Sequence, residues 1–294
     1  MLRRSRVALG AALAALLTLQ VSASPIQRAQ FIDTFTWLMP DRGFGGFSGL
    51  EISSDGQSFT AIGDHAHIVQ GQFQRRDGRI AGVVSGPIKR IFDTRGKRLD
   101  LERRDSEGLA ISADGRIFIS FEGGNRVWEY HEKQSVPLPH PKAFDKMQKN
   151  SGLEALAIDA NGWLYTLPER SGALTRDFPV YRFRDGTWDQ PFSIPRTAPF
   201  LVVGADFGPD GRLYILERSF TGFSFQSRVR RFDVTDTSIS AGETLLESSN
   251  GQFDNLEGLS VWRDAQGRIR LTMISDDNFR FFQITQFVEY AVTE

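Results

Sequence analysis

The chain has 294 residues, of which 40% are hydrophobic and 24% charged, a composition of an ordinary soluble globular protein with ample material for a core. No cysteine is present, which removes a disulfide framework, a thiol nucleophile, thiolate metal sites and a lipid-anchored N-terminal cysteine. The formal net charge of −1 argues against a nucleic-acid partner, for which a basic stripe would be expected. Phe is unusually common, at 24 residues against 5 Tyr and 5 Trp, and aromatic enrichment favours strands.

Residues 1–23 read as a cleaved signal peptide. Arg3, Arg4 and Arg6 form a basic region, Val7 to Leu17 is apolar, and Val21-Ser22-Ala23 offers small residues for cleavage. The apolar stretch is well short of the roughly 20 residues needed to span a bilayer, and no later segment is long and apolar enough to do so. Export is therefore expected, with residues 24–294 forming one domain and no membrane span after cleavage. The Arg3-Arg4 pair leaves general and twin-arginine export both open. Removing the three arginines from 35 basic residues leaves 32 against 36 acidic, a balance of −4.

Five later segments repeat one pattern: a short apolar strand, an acidic or polar residue followed by Gly, a second strand, then an acid. They are "SGLEISSDGQSFTAIGD" from Ser48, "EGLAISADGRIFISFE" from Glu107, "EALAIDANGWLYTLPE" from Glu154, "VGADFGPDGRLYILER" from Val203 and "NLEGLSVWRDAQGRIRLTMISDDNF" from Asn255. The turn glycines Gly56, Gly115, Gly162, Gly211 and Gly267 are 59, 47, 49 and 56 residues apart. Such turns need a residue with φ > 0. Further strands follow each hairpin ("NRVWEYHE", "PVYRFRDG", "SRVRRFDVT", "ITQFVEYAV"), and pieces such as "TWDQPFSIP" and "AGETLLES" supply a fourth. Four strands per interval predict an all-β β-propeller. A turn of helix is expected only around Lys142–Lys149. The last repeat has room for three strands, and "AQFIDTFTWLMP" after the signal supplies the missing one, which closes the ring. This predicts five blades, or six if the long first interval conceals a degenerate one.

In an antiparallel hairpin the start of the first strand and the end of the second lie at the same edge. Glu107, Glu154 and Glu257 are thus expected on one rim with Asp64, Glu122, Glu169, Glu217 and Asp276-Asp277. Converging carboxylates repel unless a counter-ion intervenes, and Ca²⁺ takes 6–8 such oxygen ligands. Asn278 adds a carbonyl oxygen. Arg103, Arg104, Arg126, Arg170 and Arg218 are alternative counter-ions, and a merely solvated rim of surface ion pairs is the bland alternative. His65 and His67 have a spacing a metal can use, although only four histidines exist. Glu51 and Asp206 fall deeper in their repeats, as ligands or as buried acids. Neither a G-x-S-x-G elbow nor a phosphate-binding loop is present.

"DSEGLAISADGRIFISFE", "NSGLEALAIDANGWLYTLPE", "FGPDGRLYILERSF" and "NLEGLSVWRDAQGRIRLTMISDDNFRFFQITQF" resemble the phytase-like domain family, described by an esterase-like activity related to phytase. The resemblance covers about Phe44 to Phe287, and position by position it includes Glu107, Glu154, Glu257, Glu217-Arg218 and Asp276-Asp277-Asn278. It implies a secreted or periplasmic bacterial propeller that hydrolyses esters, including phosphate esters. Ser48 and Val203 stand where three repeats carry Glu, which breaks a complete glutamate ring.

The expected activity is metal-assisted hydrolysis of a small anionic ester by a monomer. Glu107, Glu154, Glu257, Asp276, Asp277 and Asn278 are the expected calcium ligands. Arg170 and Arg218 would orient the anion, with Glu169 or Glu217 as general base. The alternatives are a non-catalytic propeller binding a periplasmic partner or glycan, with exposed aromatics in "SFTGFSF" (219–225) and "DNFRFF" (277–282), and a calcium-dependent lactonase.

Overall fold

The computed structural model describes residues 27–148 and 151–293; the expected signal peptide lies outside the described residues. Five antiparallel sheets form a five-bladed propeller. Strand β1 (Ala29–Thr36) belongs to the last blade. Blade 1 comprises β2 (Phe47–Ile52), β3 (Ser58–Gly63), β4 (His67–Arg76) and β5 (Arg79–Ser85), with the two-residue β6 (Lys89–Arg90) beside β4. Blade 2 comprises β7 (Ser106–Ile111), β8 (Ile117–Phe121), β9 (Arg126–His131) and β10 (Gln134–Pro137). Blade 3 comprises β11 (Leu153–Ile158), β12 (Leu164–Pro168), β13 (Phe178–Arg184) and β14 (Thr187–Ile194). Blade 4 comprises β15 (Leu201–Phe207), β16 (Leu213–Phe220), β17 (Phe225–Phe232) and β18 (Glu243–Glu247). Blade 5 comprises β19 (Asn255–Arg263), β20 (Ile269–Asp276), β21 (Gln286–Val292) and, paired with β21, the N-terminal β1. The long first interval holds no sixth blade. It is taken up by the β4–β5 hairpin, β6 and the irregular segment that precedes β7. The expected helical turn is a 3-10 turn at Phe144–Lys146.

The five turn glycines all have positive φ. In the second repeat the loop closes with Ser112 N donating to Arg116 O and Gly115 N to Ser112 O. Only the glycine is left-handed there, as in a three-residue hairpin loop built on a type I turn. Apolar residues that alternate along the strands meet between neighbouring blades in five clusters. One of them packs Trp37, Phe47, Phe59 and Phe73 against Trp262, Ile274 and Phe287 across the blade 5–blade 1 boundary.

The first strands β2, β7, β11, β15 and β19 contact one another in turn around the channel. They approach very closely. A Cβ on Gly204 would lie 2.4 Å from the Glu257 carbonyl oxygen, and one on Gly258 would lie 3.0 Å from the Leu50 amide nitrogen. The Gly of the E-G-L signature therefore lets neighbouring backbones pack at the ring's inner wall. One step before this position, which is glycine in four blades and Ala155 in blade 3, each first strand departs from its pairing register. The register jumps between Phe47 and Gly49, Ser106 and Leu109, Leu153 and Ala155, Val202 and Gly204, and Leu256 and Gly258. Ser48, Glu107, Glu154, Val203 and Glu257 stand at the five bulges, which re-aim side chains at a sheet edge.

A buried ionic latch joins the first and last blades. Arg75 on β4 donates twice to Glu289 on β21, at 2.9 Å each, and Arg270 Nη2 and Thr272 Oγ1 reach the same carboxylate at 2.8 and 2.9 Å. Glu289 is almost wholly inaccessible. Removing it leaves two guanidinium groups buried without their shared partner, which costs several kcal/mol. Glu289→Ala is expected to lower unfolding free energy by about 3–5 kcal/mol, read from urea denaturation; a loss within error of zero would show that the ring closes without this latch.

Candidate functional site: a carboxylate-lined channel mouth

The bulge residues and the residues that end the second strands meet at one edge of the ring. Pairing of Phe47 with Gly63, Ser106 with Phe121, Leu153 with Pro168, Val202 with Glu217 and Leu256 with Ser275 fixes the equivalence of the blades. The next residue in each is Asp64, Glu122, Glu169, Arg218 and Asp276. Four blades thus end the hairpin on an acid, and blade 4 ends it on an arginine.

Asp105, Glu107 and Glu122 place carboxylate oxygens within 4.8 Å of one another. Like charges at that separation repel by about 3–4 kcal/mol at an effective dielectric constant of about 20. Glu122 Oε1 accepts a 2.6 Å bond from the Gly152 amide of the next blade, and its carboxyl shares a hydrogen bond with Glu154. Asp105 is likewise bonded to Glu107. Among the described residues no Lys or Arg nitrogen lies within ion-pair distance of Asp105, Glu107, Glu122, Glu154 or Asp276. Burial is the main force on all of them. It raises Glu107 and Glu154 well above the ordinary glutamate range, helped by their mutual repulsion or by Glu122, and it raises Asp105. Glu122 and Asp64 are pushed up to about 7 and Asp276 to about 9, again chiefly by burial.

The opposite side of the mouth is organised by Arg218. It pairs with Glu257 through Nη1 and with Glu169 Oε1 through Nη2 at 3.2 Å, and it donates to Asn255 Oδ1 at 2.7 Å. Asn255 Nδ2 in turn reaches Glu257 Oε1 at 2.9 Å and Asp276 Oδ2 at 3.2 Å. Glu169 Oε2 accepts from Arg170 Nε at 3.2 Å, while half of the Arg170 side chain stays exposed.

Several expected site residues stand elsewhere. Glu217, expected as a base, is fully buried inside blade 4 and held by Arg228 and Arg230 at 2.6–2.8 Å. Counted from Val203 as the others are from Glu107 or Glu154, the rim position is Arg218, and a one-residue offset in a strand reverses the face. Asp277 caps a turn: its Oδ1 accepts from Gly46 N and Phe279 N at 2.9 and 3.0 Å, and its Oδ2 from Thr285 Oγ1 at 3.1 Å. Asn278 is exposed and left-handed, with φ 49°, and its amide donates to Asp276 Oδ1 at 2.6 Å. The density of Asp276-Asp277-Asn278 is thus largely turn chemistry: Asp276 is bonded into the cluster through Asn255, and Asp277 acts on Asp64 and Asp276 only as a neighbouring charge. Among the proposed counter-ions Arg126 does not pair with the acids. It lies over Phe121 and Trp128 and donates to the Glu122 and Arg103 carbonyls.

His65 and His67 do not share a strand face, because the chain turns at Asp64–Ala66. His65 stacks on Phe279 at 4.2 Å, and buried His67 is pushed down to about 4 by desolvation. Glu51 and Asp206 meet farther along the first strands, each 3.5 Å from Ser260 Oγ. Asp105 and Asn255 were missed by the sequence reading. Each lies two residues before a rim glutamate, in "DSE" and "NLE": Asp105 just ahead of β7 and Asn255 at the first position of β19, where a polar side chain still reaches the mouth.

The donor set of the Asp105–Glu107–Glu122 group is entirely carboxylate oxygen. Three carboxylates that bind through one or both oxygens suit a hard cation such as Ca²⁺, and among the described residues no Lys or Arg is within ion-pair distance of them. The residues fit a cation.

A profile of the phytase-like family, described as esterase-like activity of phytase, matches residues 42–279. The chain belongs to the phytase-like family. No curated protein matches the sequence significantly. Solved structures similar to the chain include a gluconolactonase from Xanthomonas campestris, with 14% identity and TM-score 0.48, over 83% of this chain and 76% of that one. Another is the calcium-binding protein regucalcin from Agrobacterium tumefaciens, with 8% identity and TM-score 0.48, over 84% and 91%. A third is a protein of unknown function from Dyadobacter fermentans, with 13% identity and TM-score 0.49, over 90% and 87%.

The raised carboxyl groups tie stability to pH with a definite sign. Each holds its proton in the folded state at a pH where the unfolded chain has lost it, so folding takes up protons. Their contribution is full below the unfolded carboxyl pKa and is lost as pH rises through about 7 for Glu122 and Asp64 and about 9 for Asp276. In EDTA, scanning calorimetry is expected to show Tm falling by several degrees between about pH 5 and about pH 9. Added calcium should restore it at the alkaline end and do little near pH 5. A calcium-free Tm that stays level across that range would contradict this account of the mouth.

Proposed function

We propose that this protein is an exported, calcium-assisted hydrolase of small anionic esters, acting at the acidic mouth of the propeller. The observation that carries the reading is the buried Asp105–Glu107–Glu122 group, unpaired by any described cation, in a member of a family described by esterase-like activity. Asp105, Glu107 and Glu122 would hold the cation, with Glu257 and Asp276 completing the negative wall. A bound Ca²⁺ supplies Lewis acidity toward the ester oxygen and lowers the pKa of water.

The remaining steps belong to the protein. Arg170 binds the anionic group of the substrate, because it donates only through Nε within the protein and its half-exposed end faces solvent. Arg218, fixed on three sides, stabilises negative charge that develops on the ester. Glu169, with each oxygen engaged by a guanidinium, orients the two arginines. Glu154 exchanges the proton: its carboxyl shares one with Glu122, so the pair both accepts and returns it. Export rests on the N-terminal basic and apolar segments, and it would bring the site to calcium at levels where extracellular modules with Kd of about 10⁻⁴–10⁻³ M are filled.

The assay measures release of p-nitrophenol from carboxyl and phosphate monoesters, and of phosphate from phytate, before and after EDTA and on calcium return. Chelation is expected to suppress turnover and calcium to restore it. Glu107→Gln, nearly isosteric, should lower kcat/KM on the order of 100-fold and abolish the calcium-dependent rise in Tm. Full activity in EDTA would remove the cation from the reaction.

A further inference from the structure

Two aromatic segments that are far apart in sequence meet beside the mouth. One is the tip of the β16–β17 hairpin, where Phe220 pairs with Phe225 and Thr221 N donates to Ser224 O. The other is the loop that follows β20. Together they wall a groove of about 600 Å³, lined by Phe220, Phe223, Phe225, Phe253, Phe282 and Ile284. Phe225 and Phe253 are largely covered, yet Phe223 is 100% exposed, Phe282 65% and Phe220 58%. Apolar surface gathered in one place and left to water marks a binding site.

The groove is preformed. Asp254 accepts from Gln283 Nε2 at 2.8 Å and from Ile284 N at 2.7 Å, which fastens the loop to the start of blade 5. Asp277 fastens its other end to Gly46. The groove adjoins the mouth through Phe225. The Arg218 guanidinium that pairs with Glu257 and Glu169 lies 5.9 Å from the centre of the Phe225 ring, and Phe225 lies 4.8 Å from Phe220. A molecule held at Arg218 therefore has this groove as its immediate neighbour.

We propose that the groove takes the apolar acyl or aryl portion of the ester whose polar end sits at the mouth. This rests on the hydrolase reading and narrows it to amphiphilic esters. The groove's volume falls in the range of about 300–1,000 Å³ typical of small-molecule pockets. A macromolecular partner of standard interface size needs about 800 Å² per side, far beyond what this cleft presents.

Two readouts test it separately from the chemistry. The first is kcat/KM along p-nitrophenyl acetate, butyrate and hexanoate. It is expected to rise about fourfold per added methylene, and Phe223→Ser with Phe282→Ser should flatten that slope. The second is binding of the aryl anion 1-anilinonaphthalene-8-sulfonate to Glu107→Gln protein, followed by fluorescence without turnover. One saturable site is expected, weakened at least tenfold by the same two serines. Both rings are exposed, so the double variant should fold with unchanged Tm. Ester hydrolysis with no chain-length dependence and no probe site would overturn the groove and leave the hydrolase intact. Probe binding that ignores the two serines would also overturn it. Loss of the probe site in the serine variant, with no ester turned over by the wild type, would overturn the hydrolase reading and the ester assignment with it. A dimer in sedimentation that the two serines dissociate would overturn it too, because a second copy would then be the occupant.

Discussion

Crowding of buried carboxyl groups around a narrow ring is the constraint from which the other features of the mouth follow. The ring is narrow because glycines after the bulges let the first strands touch backbone to backbone. The bulges in turn direct Glu107, Glu154 and Glu257 to the edge where Asp64, Glu122, Glu169 and Asp276 arrive from the second strands. Without a compensating charge such a ring can persist only by holding protons, as the upward pKa shifts indicate. Blade 4 breaks the pattern twice, with Val203 at the bulge and Arg218 at the strand end. One consequence is polarity. On the side formed by Asp105, Glu107, Glu122 and Glu154 no described Lys or Arg pairs with the carboxylates, and the side reaching from Glu169 of blade 3 to blade 5 is knitted by Arg218.

The same residues also hold neighbouring blades together. Glu122 accepts from the Gly152 amide of blade 3, Arg218 reaches Asn255 and Glu257 of blade 5, and Asp277 accepts from Gly46 of blade 1. In each case the end of a second strand leans on the approach to the next blade's first strand. Charge at the mouth and cohesion of the ring are therefore not separable by alanine substitution, and shape-preserving exchanges such as Glu to Gln are the informative ones. The hydrophobic clusters between blades and the Arg75–Glu289–Arg270 latch carry stability farther from the mouth.

The blades were legible because two short-range rules act in every repeat: period-two burial in the strands and a left-handed glycine in the hairpin loop. The N-terminal closing strand was legible from strand count, since the last repeat held only three of the four strands that the other blades have. At the mouth, Glu107, Glu154, Glu257 and Asp276 could be placed by hairpin geometry alone. What resisted was single-residue register. Glu217 and Arg218 look interchangeable as a charged pair, yet only one of them can face the channel, and the pairing of Val202 with Glu217 decides it. Asp277 and Asn278 were misleading because turn-forming and cation-binding side chains are the same residue types. Asp105 lies outside the strands, where alternation makes no statement, and Asn255 is the first residue of β19, ahead of the bulge that breaks the alternation.

The loops around the mouth follow the polarity of the ring beneath them. Beside the unpaired carboxylates they are basic: Arg103 and Arg104 precede β7, and Arg170 and Arg176 follow β12. Beside Arg218, whose charge is already met by Glu169 and Glu257, they are aromatic. A substrate with a charged end and an apolar end would meet a matching surface on each side and could enter in only one orientation. The ring itself is too tightly packed to vary without cost, whereas the loop at 277–285 meets blade 1 through Asp277 on Gly46 and Phe279 on His65, and the hairpin tip at 220–225 is exposed over much of its length. Under the proposed hydrolase reading, those two segments would set specificity and the carboxylates below them would serve the chemistry.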